Sequence, residues 1–377
     1  MQASTITKRL ALCALAAAAS ALMLPAQALA QDKIVIGMSA PITGDNAEYG
    51  EYFRSGALLA VKHINAAGGI RGKQVELLIQ DSKADPKEAV LIAQRFVSNR
   101  DVLAVIGDFN SSASMAAAQL YDPAGLVQIS PTASHPDFTK VGKYIFRAGT
   151  TQQSEAPFIA DWGMKTLGYK KIATIYIKND WGNVTNKIFA EAVAARGGTV
   201  VAQESFIPGD KDFTASLTKI KSLEPDMLFI GTQWADAALI ATQARKLGLT
   251  TALMATGSVS TDNLIKSAGD AVEGIRANAV FFVNDTRPVA ARYVTEYRAT
   301  YLKSPHDHSA LTYDAVMVVA DAIRKAGPDR AKIRDALAAT NGYEGVTGKF
   351  RFDENRNPVK DFVKVQVVGG KWQVATK

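Results

Sequence analysis

From Ile34 onward the chain alternates short β-branched runs with longer helical stretches, and this alternation constrains the fold more than any single motif does. Ile34-Val35-Ile36-Gly37 reads as a buried parallel strand closing at a glycine. A helical stretch over 48–66 follows, ending at Gly68-Gly69 and the turn through Arg71-Gly72. A strand over 75–79, a helix from Pro86, a strand over 102–106, an Ala-rich helix after Ser112 and a strand over 126–129 continue the series. Such βαβα order predicts a parallel sheet covered by helices on both faces. The pattern then restarts: helix 154–167, strand 171–177, helix 183–196, strand 199–202, helix 213–223, strand 227–230, helix 236–247, strand 253–256. The irregular Arg147-Ala148-Gly149-Thr150-Thr151 separates the two series, so two α/β lobes are expected. Helices over 288–301, 309–325 and 330–339 are too little for a third domain and must add to lobes already begun.

Of the 377 residues, 47% are hydrophobic and 21% charged, which excludes disordered, collagenous and polytopic membrane classes. The net charge of +7 is spread along the chain with no basic stripe, so no nucleic-acid partner is expected. Lys8 and Arg9, the apolar run 10–24 and Ala28-Leu29-Ala30 have the order of a secretory signal peptide over 1–30. Its apolar core is too short to span a bilayer comfortably, and no other window approaches the roughly 20 apolar residues of a transmembrane helix. Cys13, the only cysteine, lies inside that run; Leu12 is too large for the small residue that precedes a lipidated cysteine. Cleavage after Ala30 leaves an exported, soluble, cysteine-free chain held together by its core alone.

Catalytic and metal motifs are lacking. The four histidines show no His-Glu-x-x-His spacing, and no nucleophile elbow, P-loop or G-x-G-x-x-G follows a strand. His306-Asp307-His308, next to Pro305, is expected to cap the next helix as a solvated loop and not to hold a metal. No catalytic residue, metal or cofactor is therefore expected. In doubly wound sheets ligands sit at the carboxyl ends of strands, near helix N-termini. Two such ends are rich in hydroxyls: Asp108-Phe109-Asn110-Ser111-Ser112 and Ser130-Pro131-Thr132-Ala133-Ser134. Free backbone N–H groups and hydroxyls at a helix start make a neutral donor cup for a carboxylate. Singly, each loop is equally an ordinary cap or turn. The second series ends its strands in aromatics, Trp181-Gly182 and Gln233-Trp234, and Tyr49 begins the first helix. Donors on one lobe facing aromatics on the other suit a cleft closing on an amphipathic ligand.

Pro41-Ile42-Thr43-Gly44 with Tyr49-Gly50, Ile64-Asn65-Ala66-Ala67-Gly68-Gly69-Ile70-Arg71-Gly72, Asp85-Pro86-Lys87, Ile129-Ser130-Pro131-Thr132-Ala133-Ser134 and Lys211-Asp212-Phe213 resemble the leucine/isoleucine/valine-binding proteins of ABC importers. The resemblance runs from Asp32 to the C-terminus. It implies an α/β type I periplasmic binding protein fold: two doubly wound lobes joined by a three-crossover hinge. Lobe one would hold 31–149 and 279–357, and lobe two 150–278 with the C-terminal strands of 358–377. It further implies a monomeric, non-catalytic periplasmic receptor that closes on a branched-chain or other apolar amino acid and delivers it to ABC permease subunits. By position, Ser111 or Ser112, Thr132 (through its backbone), Ala133 and Ser134 would grip the α-carboxylate and part of the ammonium. Tyr49, Trp181, Gln233 and Trp234 would face the cleft. One departure stands out: Ala255-Thr256-Gly257-Ser258-Val259 carries no acid where leucine-binding members place a glutamate for the ammonium. Either Asp180, Asp236 or Asp262 substitutes, or the ligand is an aromatic or other non-amino carboxylate. A periplasmic sensor built on the same clamshell is the remaining alternative.

Overall fold

The computed structural model describes residues 33–376; the expected signal peptide and Cys13 lie outside the described residues. The first half-dozen elements are β1 (Ile34–Ala40), α1 (Ala47–Ala66), β2 (Val75–Asp81), α2 (Pro86–Ser98), β3 (Val102–Ile106) and α3 (Ser111–Tyr121). β4 (Val127–Ser130) and β5 (Ile145–Arg147) complete a five-stranded sheet in the order β2-β1-β3-β4-β5, parallel throughout. β3 and β4 are buried at every position: β3 is an unbroken apolar run, whereas in β4 the buried Gln128 and Ser130 side chains donate to Gly107 O at 2.9 Å and Asp108 O at 2.7 Å. β1 lies between β2 and β3, so the chain leaves it in opposite directions and opens a crevice at the ends of β1 and β3. Asp108 to Ser112 occupy that position.

The second sheet repeats the logic. It follows α4 (Gln152–Asp161) with β6 (Lys171–Ile177), α5 (Asp180–Ala194), β7 (Thr199–Phe206) and α6 (Thr214–Ser222). Next come β8 (Met227–Gly231), α7 (Trp234–Lys246), β9 (Ala252–Ala255), α8 (Asp262–Ala268) and β10 (Arg276–Ala279). In this sheet β6 lies between β7 and β8, with β9 and β10 continuing beyond β8, so β6 is the reversal point. Trp181 follows β6 and Gln233 follows β8.

The last third divides between the two. α9 (Pro288–Tyr301), α10 (Asp307–Ala326) and α11 (Arg330–Ala338) pack into the first lobe, where Tyr293, Val316 and Ile333 share one core with Ile36 and Phe53. The hairpin β11 (Asn341–Gly345) and β12 (Gly348–Arg351) stays separate. β13 (Val363–Val368) then pairs antiparallel with β10, and β14 (Lys371–Val374) closes the edge of the second sheet.

Several helix boundaries differ from the spacing, three of them beside the cleft. The helix expected over 154–167 is α-helical only over Gln152–Asp161 and continues as a π-helical turn over Trp162–Thr166. The helix expected from 183 starts at Asp180, because the Asn179 side chain accepts a hydrogen bond from Gly182 N at 2.8 Å. The helix expected from 236 starts at Trp234, with Gln233 at its cap position. Trp181 and Trp234 are thus fixed in first helical turns.

α1 and α10 cross at Gly56, where a Cβ would lie 2.2 Å from Ser309 O. Gly56→Ala is expected to destabilise the protein by about 1–3 kcal/mol through overpacking. Helix propensity alone would stabilise it by roughly 1 kcal/mol. The sign of the change in urea midpoint decides between them.

Candidate functional site

The two reversal points face each other across a cavity of about 540 Å³. One wall is the donor face of the first lobe. Asn110 caps α3, its Oδ1 accepting from Ala113 N at 2.7 Å, which leaves Ser111 and Ser112 in the first turn, where backbone N–H groups have no intrahelical acceptor. Both line the cleft; the Ser111 hydroxyl already accepts from His135 N at 3.2 Å, whereas among the described residues nothing bonds the Ser112 hydroxyl. Asp108 braces this loop from below: Ser39 Oγ donates to Oδ2 at 2.7 Å, and Phe109 N to Oδ1 at 2.6 Å. Burial pushes the Asp108 carboxyl up to about 6, against the hydroxyls of Ser82 and Ser39 that pull it down.

Thr132 and Ser134 also line the cleft. Thr132 Oγ1 donates to Phe109 O at 2.6 Å, tying the second hydroxyl loop to the first. Ala133 does not line the cleft: it is buried, and its N–H is given to Ser130 Oγ at 2.8 Å. The Thr132 N–H also points to Ser130 Oγ, at 3.3 Å, so its backbone is less free as a donor than the sequence suggests. Ser134 Oγ accepts from Trp181 Nε1 at 2.9 Å, and Ser134 O accepts from Gln152 N at 2.9 Å, so one residue touches the second lobe twice.

On the opposite wall, Trp181 and Gln233 line the cleft as expected. Tyr49 and Trp234 do not. Tyr49 is buried and stacked on Phe109 with centroids 4.4 Å apart. Its hydroxyl donates to Ser258 O at 2.9 Å and receives Trp234 N at 3.4 Å, so it bridges the lobes. Trp234 packs against both hydrophobic cores.

The loop 255–259, which has no acid of its own, nevertheless meets one. Glu155, in the first turn of α4, lines the cleft, and its Oε1 accepts from Gly257 N at 3.1 Å and Asn278 Nδ2 at 2.8 Å. A Cβ on Gly257 would lie 2.7 Å from Asn278 O, so this close approach is reserved for glycine. Burial raises the Glu155 pKa; the donors from Gly257 and Asn278 offset part of this, and Asp307 adds to it. Asp180, Asp236 and Asp262, the acids the sequence offered, are not cleft-lining residues; Asp236 accepts the Thr232 hydroxyl at 2.9 Å instead. His306-Asp307-His308 is a cap, as expected, but all three residues are buried, and Asp307 and His308 line the cleft. The sequence reading missed Glu155, Asn278, Asp307 and His308.

A model of the periplasmic binding protein family matches residues 33–371. The chain is 33% identical over 337 residues to the leucine-, isoleucine-, valine-, threonine-, and alanine-binding protein of Pseudomonas aeruginosa, covering 89% of each. In structure it is similar to the branched-chain amino acid transporter substrate-binding protein LivJ of Streptococcus pneumoniae in complex with isoleucine, with a TM-score of 0.86 and 32% identity over 91% of this chain and 99% of that one. It is also similar to an ABC transporter solute-binding protein of Rhodopseudomonas palustris BisB5 in complex with 3,4-dihydroxybenzoic acid, with a TM-score of 0.82 and 26% identity over 91% and 96% of the two chains.

Proposed function

The chain belongs to the periplasmic binding protein family, and from that premise we propose that it is the receptor of an ABC importer for branched-chain or other apolar α-amino acids. The observation that carries this reading is the pairing, in one cleft, of a donor face at Ser111, Ser112 and Ser134 with the buried carboxylate of Glu155. That pairing complements both charges of a zwitterion, and the relatives that bind leucine, isoleucine and valine support it. Ser112 and Ser134 hold the α-carboxylate with the N–H groups of the α3 first turn, Glu155 holds the ammonium, and Trp181 covers the side chain. Glu155 fills the role for which loop 255–259 has no acid.

The remaining parts follow from this assignment. A signal peptide over 1–30 delivers the chain to the periplasm. Residues 31–149 with 279–357 and 150–278 with 358–377 close as two bodies, as a monomer, and the closed form docks on the permease without altering its cargo. A second reading, an aromatic carboxylate, is favoured by the relative that holds 3,4-dihydroxybenzoic acid and by Trp181 in the cleft wall.

A thermal-shift series separates the two. Leucine, isoleucine and valine are expected to raise Tm, with about 2.7 kcal/mol of stabilisation at 100 times the dissociation constant. 4-Methylpentanoate, which is leucine without its ammonium, and benzoate are expected to raise Tm far less at the same concentration. Equal stabilisation by leucine and 4-methylpentanoate overturns the amino-acid reading.

A further inference from the structure

One polar side chain in the cleft wall takes no part in gripping either charge of an amino acid. His308 stands in the first turn of α10, lines the cleft and is 7% exposed. Its Nδ1 lies 2.6 Å from Asp307 Oδ1. The same oxygen is 2.8 Å from Nδ1 of His306, whose Nε2 reaches Ser260 O at 3.1 Å and whose ring stacks on Tyr52. Asp307 remains ionised, because the two imidazoles outweigh the effect of its burial. Burial outweighs the pull of Asp307 on His308 and moves its pKa below the ordinary value, so the ring is neutral at neutral pH.

These contacts determine the tautomer. With its one proton on Nδ1, directed at Asp307, the His308 ring presents an unprotonated Nε2. Among the described residues nothing bonds that atom, and it is not among the sealed polar atoms that lack partners. Around the imidazole stand the rings of His306, Tyr49 and Phe109, with centroids 4.7, 5.4 and 6.1 Å from its own, and Leu311 follows one helical turn on along the cleft wall. A wholly aliphatic side chain seated there strips water from Nε2 and returns nothing, whereas a hydroxyl or amide N–H donates to it. Sites built to bond a hydroxyl discriminate strongly against the isostere without one.

We infer that His308 is a specificity-determining residue, held in register by Asp307 and His306, that accepts a hydrogen bond from a donor on the ligand side chain. Within the amino-acid reading, on which this rests, the cleft therefore takes threonine beside the branched-chain amino acids and prefers it to its isostere valine. Titration calorimetry with threonine and valine tests it on the native protein, His308→Phe and His308→Gln. The native protein is expected to bind threonine roughly tenfold more tightly than valine. His308→Phe reverses that order, and His308→Gln, which keeps an acceptor, restores it in part. Unchanged thermal melting of the glutamine variant guards against a folding artefact in the phenylalanine one. Valine binding as tightly as threonine to the native protein, or a ratio unmoved by His308→Phe, overturns the role of His308 and leaves the amino-acid reading standing. Absence of binding by threonine, valine and leucine together overturns both.

Discussion

Glu155→Gln is expected to weaken leucine binding by about 3–5 kcal/mol, the cost of leaving a buried charge without its partner. The substitution keeps the shape of the side chain and its contacts with Gly257 and Asn278, so the loss is electrostatic and not a collapse of the wall. Benzoate, which has no ammonium, is expected to bind the variant at least as well as the native protein. The pH dependence has the same logic. Burial holds the Glu155 carboxyl above the ordinary glutamate value, and an ammonium beside it favours the ionised form. The ligand-free protein therefore binds a proton more readily than the leucine-bound one, and leucine binding releases a proton as pH falls toward the raised pKa of the free form. Affinity for leucine falls as pH drops through the raised pKa of the free form, and affinity for benzoate moves the opposite way. Calorimetry in two buffers of different ionisation enthalpy reads the proton count directly. Leucine affinity indifferent to both the substitution and pH removes Glu155 from the ligand's surroundings.

Ser112→Ala combined with Ser134→Ala is expected to cost about 2–4 kcal/mol, because hydrogen bonds to charged groups are individually worth about 1.5–3 kcal/mol and neighbouring ones are not fully additive. Leucine and benzoate should suffer alike, since the carboxylate is common to both, and this separates the donor face from Glu155. The Ser134 hydroxyl also accepts from Trp181 Nε1, so part of the loss belongs to contact between the lobes. Trp181→Phe, which removes the indole donor but leaves both hydroxyls, measures that part. Affinity unchanged in the double variant, read by calorimetry, eliminates the donor face as the carboxylate site.

Much of this architecture is legible in the order of residues. The βα alternation is a periodicity signal, and it gives both sheets because each strand and helix is specified locally by its own apolar pattern. The hydroxyl loops are legible too, as they follow strand ends directly. Glu155 is not, because an acid in the first turn of a helix reads as a partner for the helix dipole. Only the fold sets it against Gly257, 102 positions away. Tyr49 shows the reverse failure: its place in the chain suggests a cleft aromatic, but stacking on Phe109 withdraws the ring and leaves the hydroxyl as a tie to Ser258. His306-Asp307-His308 has the composition of a surface turn and is buried because each imidazole finds the carboxylate between them. Long-range pairings of this kind leave no periodic trace.

The ties from Tyr49 to Ser258 and from Ser134 to Trp181 join groups of the chain itself, so they are as available to an empty receptor as to a loaded one. Such ties lower the free energy of the shut form whether or not cargo is present, and cargo has to supply correspondingly less of the shift. A transporter that recognises shape alone would then be visited by unladen receptors. Discrimination against those futile visits would have to come from how long each shut form lasts.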